Sequence, residues 1–122
     1  MIGYLTVGTN DLQRATLFYD ALFAKMGGTR AYSKDRMTAW GFGEGKPLFA
    51  VTSPFDGSDA SAGNGVMVAL TVKNPAMVNN LHSMALEMGG QREGGPYLKG
   101  NHFYVGYVRD LDGNKLNFHC YV

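Results

Sequence analysis

The pentapeptide MGGTR at residues 26–30 returns as MGGQR at residues 88–92, each time at the end of an amphipathic run, 62 residues apart (88 less 26). Paired glycines after a helical pattern are an ordinary helix stop. What precedes and follows them also repeats. Ahead of the first, Leu12, Ala15, Phe18, Tyr19, Leu22, Phe23 and Met26 recur at helical spacing, with Asn10 as the expected N-terminal cap. Ahead of the second, Asn74 is the expected cap and Pro75 takes the first helical position, where its missing N–H costs nothing, and a helix runs to Met88. The two caps lie 64 residues apart (74 less 10), within two residues of the glycine spacing. A whole supersecondary unit is therefore duplicated.

Working outward, residues 2–8 (IGYLTVG) and 66–72 (VMVALTV) alternate as strands before each helix. After the first helix come strand-like pieces at roughly 29–34, 36–43 and 47–53. After the second come 91–99, 102–109 and 114–121, the first of these interrupted by Gly and Pro and weak as a strand. Each half reads β-α-β-β-β, giving an α+β chain of two modules, about 1–53 and 66–122. The aperiodic Gly-, Ser- and Asp-rich segment PFDGSDASAGN and its flank, about 54–65, is the linker. A chain of 122 residues is expected to form one domain.

A hydrophobic content of 45%, 17% charged residues and a formal net charge of +1 describe a soluble globular chain. Basic and acidic residues are scattered, so no nucleic-acid partner is expected. No apolar run reaches bilayer-spanning length, so no membrane partner is expected either. The single Cys120 excludes an internal disulfide, and a cytoplasmic location is expected.

With one helix per four strands, each sheet has a second face. Period-two alternation assigns Gly3, Leu5 and Val7, then Val66, Val68, Leu70 and Val72, then Leu116, Phe118 and Cys120 to the helix side. Tyr4, Thr6, Met67, Thr71, Asn117 and His119 fall on the other face, and the set Arg36, Thr38, Trp40 and Phe42 is expected to join it. His82 is expected on the polar side of its helix, and His102 at a strand start.

The stretch DLDGN at 110–114 does not have calcium-loop spacing. Its glycine is fourth rather than sixth, no glutamate closes the loop, and strands flank it, so a hairpin is the expectation. No H-x-x-x-H, CxxC, HExxH or G-x-S-x-G spacing exists, and GFGEG at 41–45 has no helix behind it.

Three stretches, VGTNDLQRATLFYDAL (7–22), AGNGVMVALTVKNPAMVNNLHSMALEMGG (62–90) and YVRDLDGNKLNF (107–118), resemble the vicinal oxygen chelate superfamily of glyoxalase, bleomycin-resistance and extradiol-dioxygenase proteins. The resemblance implies tandem βαβββ modules forming a cupped mixed sheet with helices on its outer face, a small-molecule ligand in the cup, and a homodimer. Metal-dependent members project four ligands into that cup. Those positions fall on Tyr4, Met67, Asn117 and the strand 48–53, which lacks His, Asp and Glu. The resemblance therefore implies a glyoxalase/bleomycin-resistance-type binding protein without a divalent metal or other cofactor. Arg36, Trp40, Met67, Tyr104 and Asn117 are the expected ligand-binding residues. In the alternative, a lyase or isomerase of glyoxalase type, His102, His119 and Tyr4 are the acid–base candidates; a module with no catalytic activity is the third possibility.

Overall fold

A computed structural model describes residues 1–122, in the order β1 (Tyr4–Gly8), α1 (Leu12–Lys25), β2 (Thr29–Lys34), β3 (Met37–Gly41), β4 (Leu48–Thr52), β5 (Val68–Thr71), α2 (Pro75–Glu87), β6 (Gln91–Lys99), β7 (Phe103–Arg109) and β8 (Lys115–Tyr121). Two compact units divide the chain, Met1–Ala62 and Gly63–Val122. The first holds a sheet of order β1-β4-β3-β2, the second a sheet of order β5-β8-β7-β6. In each, the leading strand pairs in parallel with the last, and the remaining pairs are antiparallel. This is the α+β arrangement of two βαβββ modules that the duplicated sequence predicts.

The repeated glycines perform the same two tasks in both units. Gly27 (φ +77°) and Gly89 (φ +103°) take the left-handed conformation that ends a helix at low cost only for glycine. The next residue donates its N–H back to the helix, Gly28 to the Phe23 carbonyl at 2.7 Å and Gly90 to the Ala85 carbonyl at 2.9 Å. Neither has room for a side chain. A Cβ on Gly28 would lie 2.7 Å from the Phe42 ring, and one on Gly90 would lie 2.8 Å from two backbone carbonyls.

At the helix starts the expectation is half right. Asn74 caps α2, its Oδ1 accepting from the Met77 N–H at 2.9 Å. Asp11, not Asn10, caps α1 by accepting from the Arg14 N–H at 3.1 Å. Asn10 instead grips the backbone of Ala60, accepting from its N–H at 2.6 Å and donating to its carbonyl at 3.3 Å. Both residues can cap, and the side chain with the long-range partner is drawn away from that role.

The core of the first unit is aromatic. Tyr19, Phe23 and Leu22 of α1 are fully buried on β3 and β4, where Trp40, Phe49 and Val51 meet them. Trp40 lies 5.4 Å from Phe23 and 5.8 Å from Tyr19, ring centre to ring centre. Its Nε1–H donates to Asp20 Oδ1 at 2.9 Å. Thr38 accepts from Thr16 of α1 at 3.1 Å, and Phe42 sits edge-on to Phe23. Thr38, Trp40 and Phe42 thus belong to the helix-packed face, which corrects their assignment to the open one. MTAWGF carries apolar residues in both phases, so alternation alone cannot choose, and Asp20 satisfies the indole that would otherwise resist burial. The Arg30 guanidinium beside Asp20 and the Trp40 N–H hold its carboxyl below the usual range against the opposing effect of burial.

In the second unit α2 sets Val78, Leu81 and Ala85 against a sheet face containing Val108, Leu116 and Phe118, all fully buried. The strand expected over 66–72 is shorter, and Val66 is 61% exposed outside it. The expectedly weak 91–99 is a full strand, its irregular register falling at Gly94 and Pro96.

His82 is buried rather than solvated. Its ring lies over Gly106, where a Cβ would come within 2.8 Å of it, and its Nε2 is 3.2 Å from the Tyr107 carbonyl, which makes that nitrogen the donor. Desolvation, aided by the Arg92 charge and opposed by the Tyr107 carbonyl, lowers its pKa. The native ring stays neutral where the unfolded one, titrating near 6.5, takes up a proton. This contribution to stability is complete above about pH 6.5 and is lost as pH falls through the folded value. Urea unfolding from pH 8 to pH 5 should show a falling free energy, with a shallower slope in His82→Gln, which retains a donor.

Candidate functional site

The first unit has an open cleft of about 630 Å³ lined by residues from β1, the β2–β3 turn, the end of β4 and the segment after it. Tyr4 and Thr6 reach it because they alternate with Leu5 and Val7 on β1, and both are exposed. Arg36 comes from a turn, not a strand. Its Nη1 donates to Thr52 Oγ1 at 3.1 Å and to the Ser53 carbonyl at 3.0 Å. The guanidinium carbon lies 5.1 Å from the centre of the Phe55 ring, a cation–π distance. The other guanidinium N–H groups have no protein partner, so a fixed cation offers free donors beside two exposed aromatic rings, Tyr4 and Phe55. Asp56 and Asp59 also line the cleft. Asp56 is partly occupied in accepting from the Ser58 N–H at 2.9 Å.

Phe55, Asp56 and Asp59 lie in the stretch that reads as a plain linker. Its one detectable signal is a phenylalanine amid Gly, Ser, Asp and Ala.

In the second unit the non-helix face holds a polar chain. Asn117 Nδ2 meets the Met67 sulfur at 3.8 Å, Asn117 Oδ1 is 2.8 Å from His119 Nδ1, and His119 Nε2 is 2.9 Å from Thr71 Oγ1. The register of β5 against β8, with Ala69 opposite Asn117 and Thr71 opposite His119, builds it. Phe103 lies 5.0 Å from the His119 ring and Tyr121 5.9 Å. Asn117 and His119 are buried, which the open-face reading did not anticipate, and desolvation lowers the His119 pKa. Thr71 is exposed.

The remaining expected site residues lie elsewhere. Trp40 is in the α1 core, as described above. Tyr104 pairs with Cys120 on the helix side of its sheet and donates its hydroxyl to Asn79 of α2 at 2.7 Å. That corrects its placement in the open face; 102–109 carries aromatic residues in both phases, and Asn79 supplies the phenol with a partner. His102 sits in the turn before β7 with Nδ1 3.0 Å from the Val122 carbonyl. The structure brings together Tyr4 with Arg36 in one unit, and Met67 with Asn117 and His119 in the other.

These residues do not fit a divalent metal of the kind the resemblance raises. Tyr4 offers a phenol and Met67 a thioether, while the Asn117 amide is already engaged on both sides. The strand Leu48–Thr52 offers no acid or imidazole. No three His, Cys, Asp or Glu side chains stand together anywhere in the chain. Phenol, thioether and amide lack the negative charge that offsets stripping water from such a cation.

Duplicated βαβββ units carrying a small-molecule-sized cleft define a class of protein, and comparison with solved structures finds the same fold. A glyoxalase/bleomycin resistance protein from Albidiferax ferrireducens T118 superposes with TM-score 0.89 at 28% identity, 98% of each chain being covered. A glyoxalase/bleomycin resistance protein/dioxygenase family enzyme from Burkholderia phytofirmans PsJN gives 0.79 at 16%, again over 98% of each. Lactoylglutathione lyase from Agrobacterium tumefaciens gives 0.69 at 18%, over 98% of this chain and 92% of that one; these two likenesses are of fold alone. No family model matches the sequence, and no curated protein does. The chain has the fold of these glyoxalase/bleomycin-resistance/dioxygenase structures, which is consistent with the vicinal oxygen chelate superfamily. No helix is long and apolar enough to cross a membrane.

Proposed function

We propose that the protein is a metal-independent binder of a small planar anion, a carboxylate borne on an aromatic ring, in the cleft of Tyr4, Arg36 and Phe55. The observation that carries this reading is Arg36 itself: pinned through Nη1 by Thr52 and Ser53, seated over Phe55, with its other donors unpaired. A guanidinium fork matches a carboxylate, and the exposed rings of Tyr4 and Phe55 lining the same cleft take up a flat apolar body. The loss of the superfamily's metal site is part of the proposal and rests on the donor chemistry at Tyr4, Met67 and Asn117. The lyase reading is less favoured because neither His102 nor His119, its imidazole acid–base candidates, lines this cleft. The proposal also takes the protein to be a cytoplasmic homodimer, by the resemblance and the unpaired Cys120.

Isothermal titration calorimetry with benzoate, benzyl alcohol and cyclohexanecarboxylate tests the cleft. Benzoate should bind most tightly, and Arg36→Ala should weaken it by roughly 10- to 100-fold, the value of about 1.5–3 kcal/mol for a charge-assisted hydrogen bond. Arg36→Lys should recover only part of this, because an ammonium lacks the fork. Benzoate affinity unchanged in Arg36→Ala would overturn the site. A stoichiometric divalent metal retained through dialysis, seen by native mass spectrometry, would overturn the metal-independent part; the same spectrum reads the oligomeric state.

A further inference from the structure

We propose that Thr71, His119 and Asn117 form an acyl-accepting site, with Thr71 as nucleophile, His119 as its base and Asn117 as the residue that positions the imidazole, and that its substrates are activated acyl groups such as aryl esters.

The hydrogen bonds fix the direction of the chain. The Met67 sulfur can only accept from Asn117, so the amide N–H₂ faces Met67 at 3.8 Å and the amide oxygen faces His119. An oxygen 2.8 Å from His119 Nδ1 requires that nitrogen to carry the hydrogen. In the neutral ring Nε2 is then a bare acceptor, and the only group upon it, Thr71 Oγ1 at 2.9 Å, must donate its hydroxyl proton. A hydroxyl aimed at an imidazole lone pair, with the imidazole oriented by a third residue through its other nitrogen, is the arrangement by which weak oxygen nucleophiles are activated. Burial keeps His119 rigid, with Phe103 at 5.0 Å, while Thr71 is exposed and open to a substrate.

The chemistry balances without a cofactor. Thr71 Oγ1 bonds to the acyl carbon as its proton passes to His119 Nε2. The tetrahedral adduct collapses by breaking the bond to the leaving oxygen, which departs as the aryloxide or takes the proton from His119. Once His119 has lost that proton, to the leaving oxygen or to solvent, water attacks the Thr71 ester and gives a proton to Nε2; the bond to Thr71 Oγ1 then breaks, Oγ1 takes the proton back, and the acid is released. A good leaving group is specified because the residues described supply a nucleophile and a base but no identified oxyanion donors.

The whole chain is incubated with p-nitrophenyl acetate and followed by intact mass, peptide mapping and phenolate release. One acetyl group should map to Thr71, vanish in Thr71→Val and persist in Thr71→Ser. Acetylation at Thr71 should slow by about 100-fold in His119→Gln, the low end of what a positioned base contributes. Because His119→Gln is a buried change, the native imidazole is also read by ¹⁵N NMR at neutral pH, which should show Nδ1 protonated and Nε2 bare. Acetylation confined to lysines and the N-terminus, or a ring protonated at Nε2, overturns the proposal.

Discussion

Trp40→Ala should be the most damaging single substitution in the first unit, lowering the unfolding free energy by about 3–5 kcal/mol in urea titration followed by circular dichroism. The indole is 1% exposed and its ring is met by Tyr19 and Phe23 of α1, so truncation removes apolar burial and leaves a void among side chains that cannot collapse into it. The loss has a second component, because Asp20 surrenders the 2.9 Å bond from Nε1. Trp40→Phe separates the two. It keeps most of the volume and removes only the donor, while Arg30 still holds Asp20 with Nε at 3.0 Å, so its cost should be about 1–2 kcal/mol. Equal losses in both variants would mean that the hydrogen bond, and not the packing, dominates. The low Asp20 pKa adds a pH signature: its contribution is present above the unfolded carboxylate value near 3.9 and fades as pH falls through the lower folded value.

The same residue shows where sequence reading stops. The duplicated helix ends are legible because each signal is local: a glycine at positive φ followed by one without room for a Cβ, a cap three residues ahead of the N–H it accepts, a proline at the first helical position. Together they predict the order of ten elements. Trp40 is different. Both phases of MTAWGF are apolar, and the partner that admits the indole to the core stands 20 residues back on α1. The alternation that misplaces Trp40 and Tyr104 puts Tyr4 on the non-helix face, where it lines the cleft, because Thr6 and Gly8 share its phase while Leu5 and Val7 share the other.

The candidate sites divide in the same way. Arg36 was singled out by strand phase, yet it is a turn residue whose direction is set by Thr52 and Ser53. Phe55 is not legible, because loop composition hides a side chain whose neighbour is remote. Thr71 and His119 were assigned to one face, but only the pairing of β5 with β8 brings them into hydrogen-bond range across 48 residues. Residue types and faces are properties of a local pattern; donors and acceptors meeting across strands are properties of the topology.

Asp110→Ala should cost about 2–4 kcal/mol although its site is a surface hairpin, because one buried carboxylate organises the whole turn. Asp110 Oδ1 accepts from the N–H groups of Asp112 and Asn114, both at 2.9 Å, and Oδ2 accepts from Asn114 Nδ2 at 2.9 Å. The backbone closes the same loop, Asp110 N–H to the Asn114 carbonyl at 2.9 Å and Gly113 N–H to the Asp110 carbonyl at 3.2 Å, and Arg109 reaches the Gly113 carbonyl at 3.0 Å. This is the side-chain mimicry of a backbone turn for which Asp is favoured. Removing the carboxylate takes away the side-chain acceptor of two backbone N–H groups at the point where β8 begins, so β8 should lose register first, detectable as faster amide exchange at Lys115–Asn117 than at β3 and β4. Asp110→Asn keeps one acceptor and should cost about half as much. The arrangement also answers the calcium question in physical terms. Each Asp110 oxygen already faces N–H hydrogens, which present positive charge where a cation would have to sit. Millimolar calcium should leave the melting temperature unchanged in the native chain, and a calcium-dependent rise would show that the carboxylate exchanges its N–H partners for the ion.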